Sequence, residues 1–251
     1  MKRARFQGVL TVVRFNWHLY ALALPMIIGL GALVWLGPHW LRMPAAFASV
    51  AGLLAIVTSL GATWIAYDRS GLYRLDWLDN WIPTQGVAAN IHAGFDETTA
   101  LLRSRFPGVA WQAFDFYDPV RHTEVSIRRA RRAHPPAADS VRISTQHLPL
   151  PDSSVDRVLL ILSAHEIRDT NERAAFFRAL HRVLAIDGFV IVTEHLRDLP
   201  NIVAYNLGAW HFHRPSTWKS AFDSSGFSVV ARFRPAPLIT TFVLKKHGVA
   251  P

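Results

Sequence analysis

Two uninterrupted apolar runs constrain this chain more than any other feature. From Phe15 to Leu41 there is no Asp, Glu, Lys or Arg, and from Met43 to Tyr67 there is again none. About 20 apolar residues span the hydrocarbon core of a bilayer as a helix, and both runs are longer than that. Pro38 falls near the end of the first run, and "GPHWLRMP" makes a short connection. The pair reads as a transmembrane helical hairpin over residues 15–67. Neither run has the polar face that a helix on the outside of a soluble core would need. Trp17, Tyr20, Trp35, Trp40, Trp64 and Tyr67 lie near the expected ends, where aromatic rings favour the membrane interface. A cleaved secretory signal fits poorly, because the apolar stretch is too long and lacks a clear small-residue cleavage site.

Basic residues orient the hairpin. Lys2, Arg3, Arg5 and Arg14 precede it, only Arg42 lies in its turn, and Arg69 and Arg74 follow it. The positive-inside rule then puts the basic N-terminus (residues 1–14) and the large C-terminal part in the cytoplasm. The net charge is +9, yet charged residues make up only 18% of the chain and hydrophobic residues 51%. That pairing describes a basic protein partnered with a lipid bilayer, and no nucleic-acid partner is expected. There is no cysteine, which excludes disulfides and thiolate metal sites.

Residues 68–86 connect the hairpin to the rest. Leu72, Leu75, Leu78 and Ile82 recur at spacings of three and four, beside Tyr73, Trp77 and Trp81. The stripe predicts an interfacial linker helix; the same stripe would also serve a helix packed on the domain that follows. Pro83 and Gly86 close it. From residue 87 onward strand and helix patterns alternate. Strands are expected at "VAANIHAG", "VAWQAFDF", "SVRIST", "DRVLLILS" and "FVIVTEHL". Helices are expected at "DETTALLRSRF", with Asp96 as N-cap, at "PVRHTEVSIRRARRA" and at "NERAAFFRALHRVLAI", stopped by Asp187-Gly188. A helix around "STWKSAFDSSG" and two strands, "FSVVARFR" and "ITTFVLKK", complete the chain. This order predicts an α/β fold: a doubly wound, Rossmann-like sheet, mainly parallel, with an antiparallel strand at one edge.

The stretches "LPLPDSSVDRVLLILSAHEI" and "ERAAFFRALHRVLAIDGFVIVTEH" resemble the middle of class I S-adenosylmethionine-dependent methyltransferases. The matching features are the Leu148-Pro149-Leu150 turn, Asp156 in the following strand, the helix end Arg182-Val183-Leu184, and Asp187-Gly188. The resemblance spans roughly residues 86–247 and is weakest at its start. The family's first loop carries an acid and three alternating glycines. Here "NIHAGFDETT" places Asn90 at the acid and His92 at the first glycine. Gly94 stands at the second glycine and Asp96 at the third. Only the glycine that approaches the ligand most closely is kept. Asp96 and Glu97 begin a helix, where they cap it and repel a phosphate but suit a cationic ligand.

The resemblance implies S-adenosylmethionine as cofactor. It assigns Asn90, His92, Ala93, Gly94, Asp96 and Glu97 to the cofactor loop, and Asp115 and Phe116 to the ribose end of the second strand, with Asp118 as fallback. Gln146 and His147 fall near the adenine, where the family often has an acid and "ISTQH" has none; Ser163 and Ala164 follow the fourth strand. Independently of the family, "SAHEIRD" puts His165, Glu166, Arg168 and Asp169 at the carboxyl end of a strand, the edge where open sheets bind ligands. Glu194, His195, Arg197 and Asp198 end the next strand. His165 aided by Glu166, with His195 nearby, is a candidate general base; a salt-bridge network holding loops is the bland alternative. "HEIRD" is not a zinc-protease helix, since it lacks a second His four residues after the first; a metal site from His165, Glu194 and His195 is the lesser alternative, and no metal is expected.

Tyr205, Trp210, His211, Phe212, His213 and Trp218 crowd the segment after the fifth strand. They suit either an apolar acceptor pocket or core packing. "RRARR" at 128–132 reads as attraction to anionic lipid. The expected function is a membrane-anchored methyltransferase acting on a small or lipid-like acceptor. The alternative is a scaffold or binding subunit of the same fold that has lost the cofactor.

Overall fold

The computed structural model describes residues 4–247; Lys2 and Arg3 of the expected basic N-terminus lie outside them. Two long helices come first, α1 (Gln7–Leu36) and α2 (His39–Thr63), joined at Gly37 and Pro38 and packed side by side. Both are long and apolar enough to cross a membrane. The most apolar stretch of α1 has none of its residues buried, and that of α2 only 11%. α2 runs into a wider π turn, Trp64–Arg69. Asp68 there accepts the free N–H groups of Gly8 (2.6 Å) and Val9 (3.1 Å) at the start of α1. A carboxylate at a helix N-terminus satisfies orphan donors and the positive dipole end, so the hairpin is closed at its base.

The linker differs from its expectation. Residues 68–86 form no interfacial helix but two short 3-10 turns, Leu72–Arg74 and Asp76–Leu78, separated by Leu75 at φ +60°. Leu72, Leu75, Leu78 and Ile82 are all buried. Leu75, Leu78 and Ile82 pack against one face of the sheet with Ala88, Trp111 and Ile191. The spacing that would line a membrane-facing helix instead covers a sheet face.

Seven strands follow: β1 (Gly86–His92), β2 (Val109–Asp115), β3 (Ser140–Arg142), β4 (Val155–Ile161), β5 (Leu184–His195), β6 (Phe227–Ala236) and β7 (Ile239–Lys246). Their order is β3-β2-β1-β4-β5-β7-β6. The first five are mutually parallel, and β7 runs antiparallel to both β5 and β6. The helices are α3 (Thr99–Arg105), α4 (Val125–Ala133), α5 (Thr170–Val183), α6 (Leu199–Tyr205) and α7 (Pro215–Asp223). The chain leaves β1 toward β2 and β3, then returns to β4 on β1's other side. The carboxyl ends of β1 and β4 thus flank the switch point where such sheets bind ligands.

Two boundaries move. The helix expected from residue 119 begins at Val125, because Asp118 Oδ1 accepts the Val120 N–H and holds a turn there. α5 ends at Val183, so Asp187-Gly188 lies inside β5 and is not a helix stop. A Cβ on Gly188 would fall 2.9 Å from the Asp156 carbonyl oxygen, beside the irregular register of β4 and β5. The glycine serves close strand passage.

Candidate active site

The first loop sits at the carboxyl end of β1. Asn90 is buried and donates to Thr99 Oγ1 (2.7 Å) and Thr98 Oγ1 (3.0 Å). Asp96 Oδ1 accepts the backbone N–H groups of Thr98 and Thr99, both at 2.9 Å. Asn90 and Asp96 together fasten the start of α3. His92 bonds Ser140 Oγ through Nε2 (3.0 Å) and accepts the Gly94 N–H at Nδ1 (3.2 Å). Burial lowers its pKa, against the pull of Asp96 and Asp115. Gly94 holds φ +86°, and a Cβ there would lie 3.0 Å from Tyr117 Cβ. Both its backbone and its surroundings require glycine. Glu97 turns away from the loop and accepts the Tyr73 hydroxyl (2.8 Å). Ala93 is buried.

Asp115 ends β2 and is buried. One oxygen accepts the Tyr117 N–H (2.9 Å), and the other pairs with Arg131. Arg131 also donates to the Gly94 carbonyl (3.2 Å), and its guanidinium lies over the Tyr117 ring. Arg131 was not singled out by the sequence, where it is one of five residues in a basic run. The signal that finds it is helical phase: it follows buried Ala130 and stands four residues after buried Ile127. Arg129 in the same run donates to the Phe15 carbonyl (2.7 Å) and meets His18 (2.6 Å). That carbonyl is freed by the break in α1 at Asn16. Only Arg128 and Arg132 face solvent, so the run is less a lipid-facing patch than a docking helix. Beyond Asp115 a cavity of about 670 Å³ is lined by Phe116, Tyr117, Ser144, Gln146 and His147 among others. Asp118 lies on its rim.

A second cluster stands at the ends of β4 and β5. Ser163 donates to the Ile91 carbonyl (2.9 Å), tying the loop after β4 to β1. Ala164 is buried behind it. His165 meets Glu194 through Nδ1 (2.7 Å), and its backbone N–H reaches the other Glu194 oxygen (3.1 Å). Its Nε2 is 3.4 Å from Glu166 Oε1. Burial alone would lower the His165 pKa, but Glu194 and Glu166 outweigh it and push it up to about 10. Burial raises Glu166, and His165 pulls it down to about 2. The pair is an imidazolium between two carboxylates, so His165 holds a proton at neutral pH and does not act there as a free base. His211 joins from the segment after α6: its ring is 4.9 Å from that of His165, and its Nε2 is 3.8 Å from Glu166 Oε1. Arg168 grips His211 through its carbonyl (2.5 Å) and Nδ1 (2.6 Å). Glu166 Oε2 is buried and has no hydrogen-bond partner among the described residues.

His195 does not join this cluster. Its Nδ1 faces the Leu238 carbonyl (2.9 Å) and Asn201 Oδ1 (3.1 Å). Both are acceptors, so Nδ1 carries the proton and Nε2 accepts from the Tyr67 hydroxyl at 2.8 Å. Its ring stacks on Phe212. Burial, reinforced by the His165 charge, lowers its pKa to about 4. It is a neutral clamp between β5 and the base of the hairpin.

Gly94 and Asp115 are thus joined through Arg131 after β1 and at the end of β2, and the cavity begins at the next residue, Phe116. Residues 114–192 match the model of the methyltransferase domain. A SAM-dependent methyltransferase from Aquifex aeolicus superposes with a TM-score of 0.52 at 12% identity, over 69% of this chain and 91% of that one. One from Methanosarcina mazei gives 0.50 at 13% identity, over 69% and 98%. A methyltransferase of calicheamicin biosynthesis, solved with S-adenosylhomocysteine bound, gives 0.50 at 11% identity, over 82% and 57%. No curated protein matches the sequence. From β1 to β7 the chain has the class I S-adenosylmethionine-dependent methyltransferase fold, and within it residues 114–192 are similar to the methyltransferase-domain family.

Proposed function

We propose that this protein is an S-adenosylmethionine-dependent methyltransferase held to a membrane by its N-terminal hairpin, with the domain on the cytoplasmic side. The observation that carries the reading is a juxtaposition across the switch point. Gly94 follows β1 and Asp115 ends β2, and the His165–Glu166–Glu194 cluster stands at the carboxyl ends of β4 and β5 on the same edge.

Asp115 would take the ribose hydroxyls once Arg131 releases it, and the Gly94 backbone would lie against the cofactor. When bound, the cofactor supplies an electrophilic methyl group on a sulfonium. The chain's own task is to present a nucleophile and remove its proton. Glu166 Oε2, buried and without a hydrogen-bond partner among the described residues, is the acceptor for an O–H or N–H of the substrate. A carboxylate held near pKa 2 is a weak base, but a nucleophile becomes strongly acidic as it is alkylated, so a weak base suffices late in the transfer. His165 positions Glu166, and Glu194 holds His165. The hairpin favours an acceptor resident in the bilayer, such as a lipid or another amphiphile.

A second reading is favoured by Arg131 seated on Asp115 and by Asn90 in the acid's place: the fold persists as a scaffold without the cofactor. Calorimetric titration of detergent-solubilised protein with S-adenosylmethionine and S-adenosylhomocysteine separates the two. Micromolar binding, abolished in a folded Gly94→Val variant, is expected; a folded parent that binds neither ligand would establish the scaffold. Glu166→Gln should bind S-adenosylhomocysteine like the parent. It should transfer labelled methyl to membrane extracts about 100-fold more slowly or worse.

A further inference from the structure

The segment Leu199–His211 carries no Asp, Glu, Lys or Arg. It folds as α6 followed by a 3-10 turn, Asn206–His211. Leu199, Ile202, Val203, Leu207 and Trp210 are exposed, Leu207 by 84% and Trp210 by 65%. Such a row of large apolar side chains on one short element marks an interaction surface. Its position says what covers it. The element packs along α2, and Asn206 Nδ2 reaches Ala55 O (3.4 Å) and Thr58 Oγ1 (3.3 Å). Ala55 lies twelve residues before Tyr67, the end of the second charge-free run. At 1.5 Å per residue that is about 18 Å along the helix, near the middle of a hydrocarbon core about 30 Å thick. At the margin of the element, Arg197 lies 5.3 Å from the centre of the Trp210 ring, a cation and an indole paired as at a headgroup boundary.

We infer that Leu199–His211 is a membrane-embedded element seated beside α2. The occupant of its apolar face is the acyl region of the bilayer. Its last residue, His211, belongs to the cluster around Glu166. One continuous element therefore joins the acyl region to the candidate active site, and an acceptor with an apolar tail and a reactive polar end reaches Glu166 along it. The inference rests on the reading of α1 and α2 as a membrane hairpin.

The cysteine-free chain allows single spin labels without background. The full-length protein would carry Leu207→Cys, Val203→Cys, Met26→Cys on α1 or Ile186→Cys at the opposite end of β5. Each variant is placed in phosphatidylcholine–phosphatidylglycerol vesicles, and label accessibility to oxygen is compared with that to a water-soluble nickel chelate. Labels at 207 and 203 should favour oxygen several-fold over the label at 186, as the label at 26 does. Labels at 207 and 203 that match 186, while 26 reads as lipid-exposed, overturn the inference and leave the hairpin standing. An aqueous label at 26 overturns the hairpin, and the inference with it.

Discussion

At the scale of single residues, the site is governed by which charge meets which. Asp115 is buried and Arg131 partly so, and ribose hydroxyls would compete with the guanidinium for the same carboxylate oxygen. Arg131→Met should therefore have two opposed effects. Leaving Asp115 buried and unpaired should cost about 3 kcal/mol of stability without ligand, while the rise in melting temperature on adding S-adenosylhomocysteine should exceed that of the parent. Thermal melts with and without the ligand read both; an unchanged ligand shift would show that Arg131 does not mask the acid. The histidines set the pH response. His165, raised from 6.5 to about 10, contributes stability that is complete below pH 6.5 and lost as pH climbs through 10. His195 and His213 are lowered to about 4 and about 3, chiefly by burial. Their contribution is present above pH 6.5 and lost as pH falls through those values. Stability in detergent should peak near pH 6.5, and His165→Gln should flatten the alkaline side only, which a melting series across pH checks. In the sequence, the ionisable pairs at 165–166 and 194–195 were visible as a group. Which of the two histidines joined the site was not: His165 faces Glu166, whereas His195 faces Tyr67.

At the scale of elements, periodicity carried most of the information. The strand and helix order from β1 to β7 follows from continuous apolar runs broken by helical ones, and the antiparallel β7 from the short turn before it. The errors share one cause. A spacing of three to four fits a helix, but it fits successive 3-10 turns equally well. Only the sheet face waiting for Leu75 and Leu78 chose between them. Gly188 likewise looked like a helix stop because glycine ends helices often; its strand role depends on the Asp156 carbonyl beside it. The basic helix α4 was read from its charge, but its phase decided its work. Arg129 reaches the broken turn of α1 and Arg131 the cofactor loop.

At the scale of the whole molecule, the hairpin is built into the domain and is not a loose tether. Phe15 is buried in the main core cluster, Asp68 caps α1, and Tyr67 holds His195. Removing residues 1–67 would uncover the Phe15 site and the His195 ring together. The remaining domain should bind a hydrophobic dye more strongly and aggregate on heating at lower temperature than the intact protein in detergent. A truncated domain as stable as the parent would show that these contacts contribute nothing to folding. The sequence by itself determined the hairpin and the succession of strands and helices, because hydropathy, helix length and period are properties of neighbouring residues. Tertiary structure alone decided the site: the pairing of Arg131 with Asp115, the arrival of His211 at Glu166, and the capture of His195 by Tyr67 across 128 positions. Such contacts depend on how finished elements pack, and no local pattern carries that information.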